Sequence, residues 1–131
     1  MFRFVLMFLV TILSFPAMSQ EIKHSESLDK EEMKTYFLVF LKEGPNRTQD
    51  SATAAEIQNG HMAHLTKMYN EGKMDLAGPM MDDTKLKGIC VYNVENIETA
   101  KSLAESDPAV KSGRLIVEIH PWYSMKGAKL R

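Results

Sequence analysis

Two histidines three residues apart, His61 and His64, are the first side chains in this chain that suggest chemistry. Histidine titrates near neutrality, so it can take and return protons under ordinary conditions. Such a base works best with a carboxylate on one ring nitrogen, because the carboxylate fixes the tautomer. Asp107, followed by Pro108, is the candidate partner. It closes a helical stretch expected on the same sheet face as the histidine helix. The i, i+3 pair could also meet a metal, but two ligands do not make a site. Nothing in the sequence brings His120 or Asp107 to them as further ligands, so no metal is expected.

Other candidates have plainer readings. Cys90, the single cysteine, sits inside Ile89-Cys90-Val91-Tyr92 and reads as a small buried hydrophobe. It has no second cysteine to pair with, so the fold must be held by its core or by a partner subunit. Asp82 and Asp83 read as turn residues and His24 as solvated. The chain has no G-x-G-x-x-G, Walker loop, G-x-S-x-G, H-E-x-x-H or C-x-x-C. No cofactor is therefore expected. A formal net charge of -1 argues against a nucleic-acid partner, which would call for a basic face.

These residues need elements to position them. Hydrophobic residues make up 44% of 131, enough for one soluble domain. Tyr36–Leu41 is apolar, aromatic and β-branched, and Gly44-Pro45 closes it; it reads as a buried strand. Both its faces are apolar: Tyr36, Leu38 and Phe40 on one, Phe37, Val39 and Leu41 on the other. Residues 50–72 read as the main helix, with cap-type residues at Asp50, Ser51 and Thr53 and a capping box from Thr53 to Glu56. Ala54, Ile57, His61, His64, Leu65 and Met68 share one stripe about 80° wide, and Gly72 ends the helix. Residues 74–80 and 86–94 form a hairpin. Residues 95–106 form a second helix stopped by Asp107-Pro108, and Leu115–His120 is the last strand.

The order β-α-β-β-α-β is the ferredoxin-like, split βαβ arrangement, an α+β fold with a four-stranded antiparallel sheet and two helices on one face. The other sheet face would be bare, yet the first strand is apolar on both sides. A second copy of the chain, packed sheet against sheet, is the economical cover, so a homodimer is expected.

The first residues differ from the rest. Arg3, an apolar run from Phe4 to Phe15, and Ala17-Met18-Ser19 form the pattern of a secretory signal peptide. The run is too short for a membrane span. Cleavage after Ser19 would leave 112 residues of charge -2, secreted or periplasmic, with no stable membrane anchor. The expected layout is a signal peptide over 1–19, a polar spacer over 20–34 with a helical turn over Leu28–Lys34, the domain over 35–125 and a basic tail over 126–131. Asn46-Arg47-Thr48 is a glycosylation sequon, relevant only in a eukaryotic source.

Five segments together carry a resemblance. They are H-M-A-H-L from His61, Glu71-Gly72-Lys73, Ala77-Gly78-Pro79, Asp107-Pro108-Ala109-Val110-Lys111-Ser112-Gly113, and Val117-Glu118-Ile119-His120-Pro121-Trp122. Over roughly Lys34 to Tyr123 the chain resembles the YCII-related (YciI-like) family. The resemblance implies a dimeric α/β barrel with a histidine–aspartate pair in a cleft. By position the histidine matches His61, not His64, and the aspartate matches Asp107; Gly78 and Pro79 match the segment lining the cleft. Relatives include a dehydrochlorinase of aromatic degradation, whereas export departs from a mostly cytoplasmic family. The expectation is a small cofactor-free enzyme, lyase, isomerase or dehydrochlorinase-like, acting on a phenolic or carboxylic molecule. His61 would be general base and acid, Asp107 its orienting partner, and Tyr36, Met80 and Trp122 would offer apolar walls. The alternatives are a non-catalytic module binding a small ligand in the same cleft and a purely structural dimer.

Overall fold

The computed structural model describes residues 32–130. The expected leader, most of the spacer and His24 lie outside the described residues. The chain forms strand β1 (Met33–Glu43), helix α1 (Ser51–Asn70), strands β2 (Met74–Pro79) and β3 (Leu86–Tyr92), helix α2 (Ile97–Glu105), a short helix α3 (Pro108–Lys111) and strand β4 (Leu115–Met125). The sheet order is β2-β3-β1-β4 with antiparallel neighbours throughout. This is the ferredoxin-like α+β fold that the order of elements predicts.

Three local readings are corrected. β1 and β4 are longer than expected: Met33 pairs with Met125 and Glu43 with Leu115. Pro121 does not end β4, because β4 is an edge strand and a missing N–H can face away from its one neighbour. The cap of α1 is Asp50, whose carboxylate accepts the Thr53 backbone N–H at 2.9 Å and its hydroxyl at 3.0 Å. Thr53 is thus the third helical residue and not the start of a capping box. The stop after α2 is followed by a further helical turn, α3, with Asp107 as its cap. Gly72 does take the left-handed backbone expected of it, at φ 68°.

The core lies between sheet and helices. Phe37, Val39 and Leu41 point into it from β1, joined by Met74, Cys90 and Tyr92 from the hairpin and by Met68, Ala100 and Ala104 from the helices. The alternate residues Tyr36, Leu38 and Phe40 stand on the opposite face with their cross-strand partners Trp122, His120 and Glu118. Tyr36 and Trp122 lie with ring centroids 6.3 Å apart, and Phe40 meets His120 edge-on. Among the described residues, no helix lies on that face. Among the described residues, no helix is long and apolar enough to cross a membrane.

Candidate active site

α1 crosses the sheet with its stripe facing inward, as its spacing predicts, but only His61 and Met68 are fully buried. Ala54, Ile57, His64 and Leu65 are half-buried. The reason is a cleft of about 790 Å³ between α1 and the β2–β3 hairpin. Ile57, His61 and Leu65 form one wall; Met74, Ala77 and Leu41 form the other. Gly78 and Pro79 line it too, whereas Tyr36, Met80 and Trp122 do not. Tyr36 and Trp122 belong to the helix-free sheet face, so their expected role as walls of this cleft is corrected. The volume lies in the range of small-molecule sites, and the lining is mostly apolar, as such sites usually are.

His61 and Asp107 meet behind this wall. His61 Nδ1 lies 2.6 Å from Asp107 Oδ2, and the two residues are 8% and 2% exposed. Asp107 Oδ1 accepts the Ala109 N–H at 2.8 Å, which is the cap of α3. A carboxylate only accepts hydrogen bonds, so Nδ1 must donate. The neutral ring therefore carries its proton on Nδ1, leaving Nε2 as a lone-pair base. The geometry brings together, in one buried pair, the two residues that sequence spacing could only nominate separately.

Two features that make the pair feasible escape a reading by residue type. Gly60 sits in mid-helix, where glycine costs about 0.5–1 kcal/mol against alanine. A Cβ there would meet the Pro108 ring at 3.1 and 3.2 Å, so its absence lets α1 press against α3. Pro108 starts α3, where the missing N–H is harmless. A glycine beside a helical histidine was the available signal.

His64 stands differently. Its Nε2 is buried and, among the described residues, has no hydrogen-bond partner. Burial pulls its pKa below 6.5, outweighing the attraction of Asp107. Cys90 is 1% exposed, and burial pushes its thiol up to about 12, which removes it as a nucleophile. Among the described residues, no three histidine, cysteine or acidic side chains are grouped to hold a metal.

A ferredoxin-like domain with a buried His–Asp pair at the wall of an apolar cleft is the class that fold and site define. The chain belongs to the YCII-related domain family, whose model matches residues 35–123. Among solved structures it is similar to the 5-chloro-2-hydroxyhydroquinone dehydrochlorinase of Burkholderia phenoliruptrix AC1100, determined in complex with 2,5-dihydroxybenzoquinone. The TM-score is 0.50 and the identity 22%, over 66% of this chain and 92% of that one. At that identity the likeness concerns the fold. No curated protein matches the chain.

Proposed function

We propose that the protein is an acid/base enzyme that moves a proton on a small phenolic or carboxylic molecule held in the cleft. The observation that carries this reading is the 2.6 Å contact between His61 Nδ1 and Asp107 Oδ2, with His61 in the cleft wall. Asp107 holds the ring so that Nε2 is the free base. Once His61 has taken a proton, the imidazolium faces a carboxylate already in place. The proton then returns to a neighbouring atom or a leaving group of the substrate, so lyase, isomerase and dehydrochlorinase-like outcomes share one first step. The similarity to a dehydrochlorinase fold supports the same reading.

The test is ¹⁵N NMR of His61 together with a screen of phenols and carboxylic acids for solvent-deuterium exchange or turnover. His61 should show the Nδ1–H tautomer. In Asp107→Asn the amide oxygen keeps the Ala109 N–H, so its NH₂ faces Nδ1 and drives the ring to the Nε2–H tautomer. Turnover should fall by 10²-fold or more in that variant, on the order seen when a positioned base is lost. A His61 indifferent to Asp107→Asn removes the reading. Saturable binding with no exchange or turnover in any screened compound would make the protein a ligand-binding module.

The homodimer and export belong to the same proposal. The helix-free face shows Leu38, Phe40 and Trp122, and a second copy laid sheet to sheet would cover them. Sedimentation showing a folded monomer at micromolar concentration overturns the dimer. Recovery of the uncleaved chain in the cytoplasm overturns export.

A further inference from the structure

The cleft has a cationic end that the proton-transfer reading does not use. Arg47 and Arg114 both line it, though they come from different loops. Arg47 lies between β1 and α1, and Arg114 between α3 and β4. The two loops are laced together. The Gly44 N–H donates to the Arg114 carbonyl at 2.9 Å, and the Asn46 N–H to the Gly113 carbonyl at 3.0 Å. Asn46 Nδ2 donates to the Ser112 carbonyl at 2.9 Å. A Cβ on Gly44 would fall 2.1 Å from the Gly113 carbonyl oxygen, so this approach requires glycine.

The lacing also orients the guanidinium groups. Arg47 Nη1 donates to the Arg114 carbonyl at 3.1 Å, and Arg114 Nη1 donates to Gln49 Oε1 at 2.8 Å. These bonds fix the two side chains without neutralising them. Among the described residues, neither arginine is paired with a carboxylate. The other cation lining the cleft, Lys87, is committed to Glu43 at 3.3 Å and to the Thr84 carbonyl at 2.8 Å. Asp75, the acidic residue of the lining, is held by Asn93 Nδ2 at 3.1 Å. That amide leaves the Asp75 charge in place, but Asp75 belongs to β2 and not to the two laced loops. At the loop end the cationic charge open to a ligand is that of two arginine forks, and such forks match planar oxyanions bidentately.

We propose that Arg47 and Arg114 anchor the carboxylate of a small aromatic carboxylic acid, whose ring occupies the apolar part of the cleft beside His61. This specifies the substrate class and rests on the proton-transfer reading only for the choice of cavity. An apolar ring alone would fit the walls in many orientations; a fixed charge at one end selects one. Carboxylate and phosphate share the fork chemistry, but the apolar walls favour a ring-bearing acid over the inorganic ion.

The test is a titration of the purified protein with benzoate, benzamide and inorganic phosphate, followed by NMR. Benzoate should bind saturably and shift the resonances of His61. Benzamide, equal in shape and uncharged, and phosphate, charged without a ring, should each bind on the order of tenfold more weakly or less well still. Arg47→Gln, a change at an exposed side chain, and Arg114→Gln should each weaken benzoate on the order of tenfold to hundredfold and leave benzamide unaffected. Equal binding of benzoate and benzamide, tighter binding of phosphate, unchanged benzoate affinity in a folded Arg47→Gln protein, or no saturable benzoate binding in the millimolar range overturns the proposal. Benzoate binding that survives His61→Asn would sustain the anchor even if the acid/base reading failed.

Discussion

Gly60 on α1 lies against the ring of Pro108 on α3, and this contact sets how closely His61 can approach Asp107. Helix separation is usually decided by side chains at the crossing. Here the decisive side chain is a missing one, immediately before the histidine it serves.

Replacing Gly60 with valine should push α1 away from α3. A branched side chain has no room where even a methyl group would stand 3.1 Å from Pro108 Cγ. The expected cost is about 1–3 kcal/mol of stability, in the range for overpacking. Urea denaturation gives the loss, and ¹⁵N NMR should show the His61 tautomer no longer fixed. A valine variant with wild-type stability and tautomer would show that Pro108 yields and that the contact does not govern the pair.

Asp107 has two duties, and two substitutions separate them. Asp107→Asn keeps an acceptor for the Ala109 N–H, so stability should change little while the tautomer reverses. Asp107→Ala leaves that N–H and His61 Nδ1 both without their partner, and the group is 2% exposed. A loss of about 1–3 kcal/mol follows for a buried polar group left unpaired. Equal stability for the two variants would contradict this division.

His64 makes the fold sensitive to acid. Burial holds its folded pKa below 6.5. Above that value the imidazole is neutral in both folded and unfolded chains. As pH falls through it, the unfolded chain takes up a proton that the folded chain resists, so the unfolded state gains. Stability should therefore decline from about pH 7 towards about pH 5, and the decline should be shallower in His64→Leu. Urea midpoints at a series of pH values measure it. An identical slope in the variant would assign the decline to other groups.

Cys90 should be inert in the native protein. With its thiol at about 12 and 1% exposure, iodoacetamide near pH 8 should not modify it until denaturant is added. Rapid labelling of the folded chain would show that the core opens at β3.

The fold was readable because its pattern is strong. The order of elements follows from apolar runs, their lengths and the turn residues between them, and the inward stripe of α1 follows from helical periodicity. His61 and Asp107 could be named by type, and family resemblance separated His61 from its neighbour. Their distance could not be read, because 46 residues separate them and the contact depends on how two helices cross. Arg47 was visible only as part of a sequon, and Arg114 followed a glycine with nothing to mark it. Both acquire meaning from loop-to-loop hydrogen bonds, which leave no periodic trace. The walls were misassigned for a similar reason. Tyr36 and Trp122 are the large aromatics a reader expects around a ligand, but strand alternation turns them to the other face of the sheet.

The divided carboxylate of Asp107 also bears on how such a site can decay over generations. One oxygen holds a helix start and the other holds a histidine. A descendant that abandoned proton transfer would still be under pressure to keep the aspartate, for the sake of folding. His61 has no comparable second duty among its hydrogen bonds. Loss of His61 would in turn leave Asp107 Oδ2 without its partner, so in a lineage drifting towards a silent scaffold one contact holds the histidine and two hold the aspartate. Retention of the aspartate alone would mark a helix start that the fold still needs.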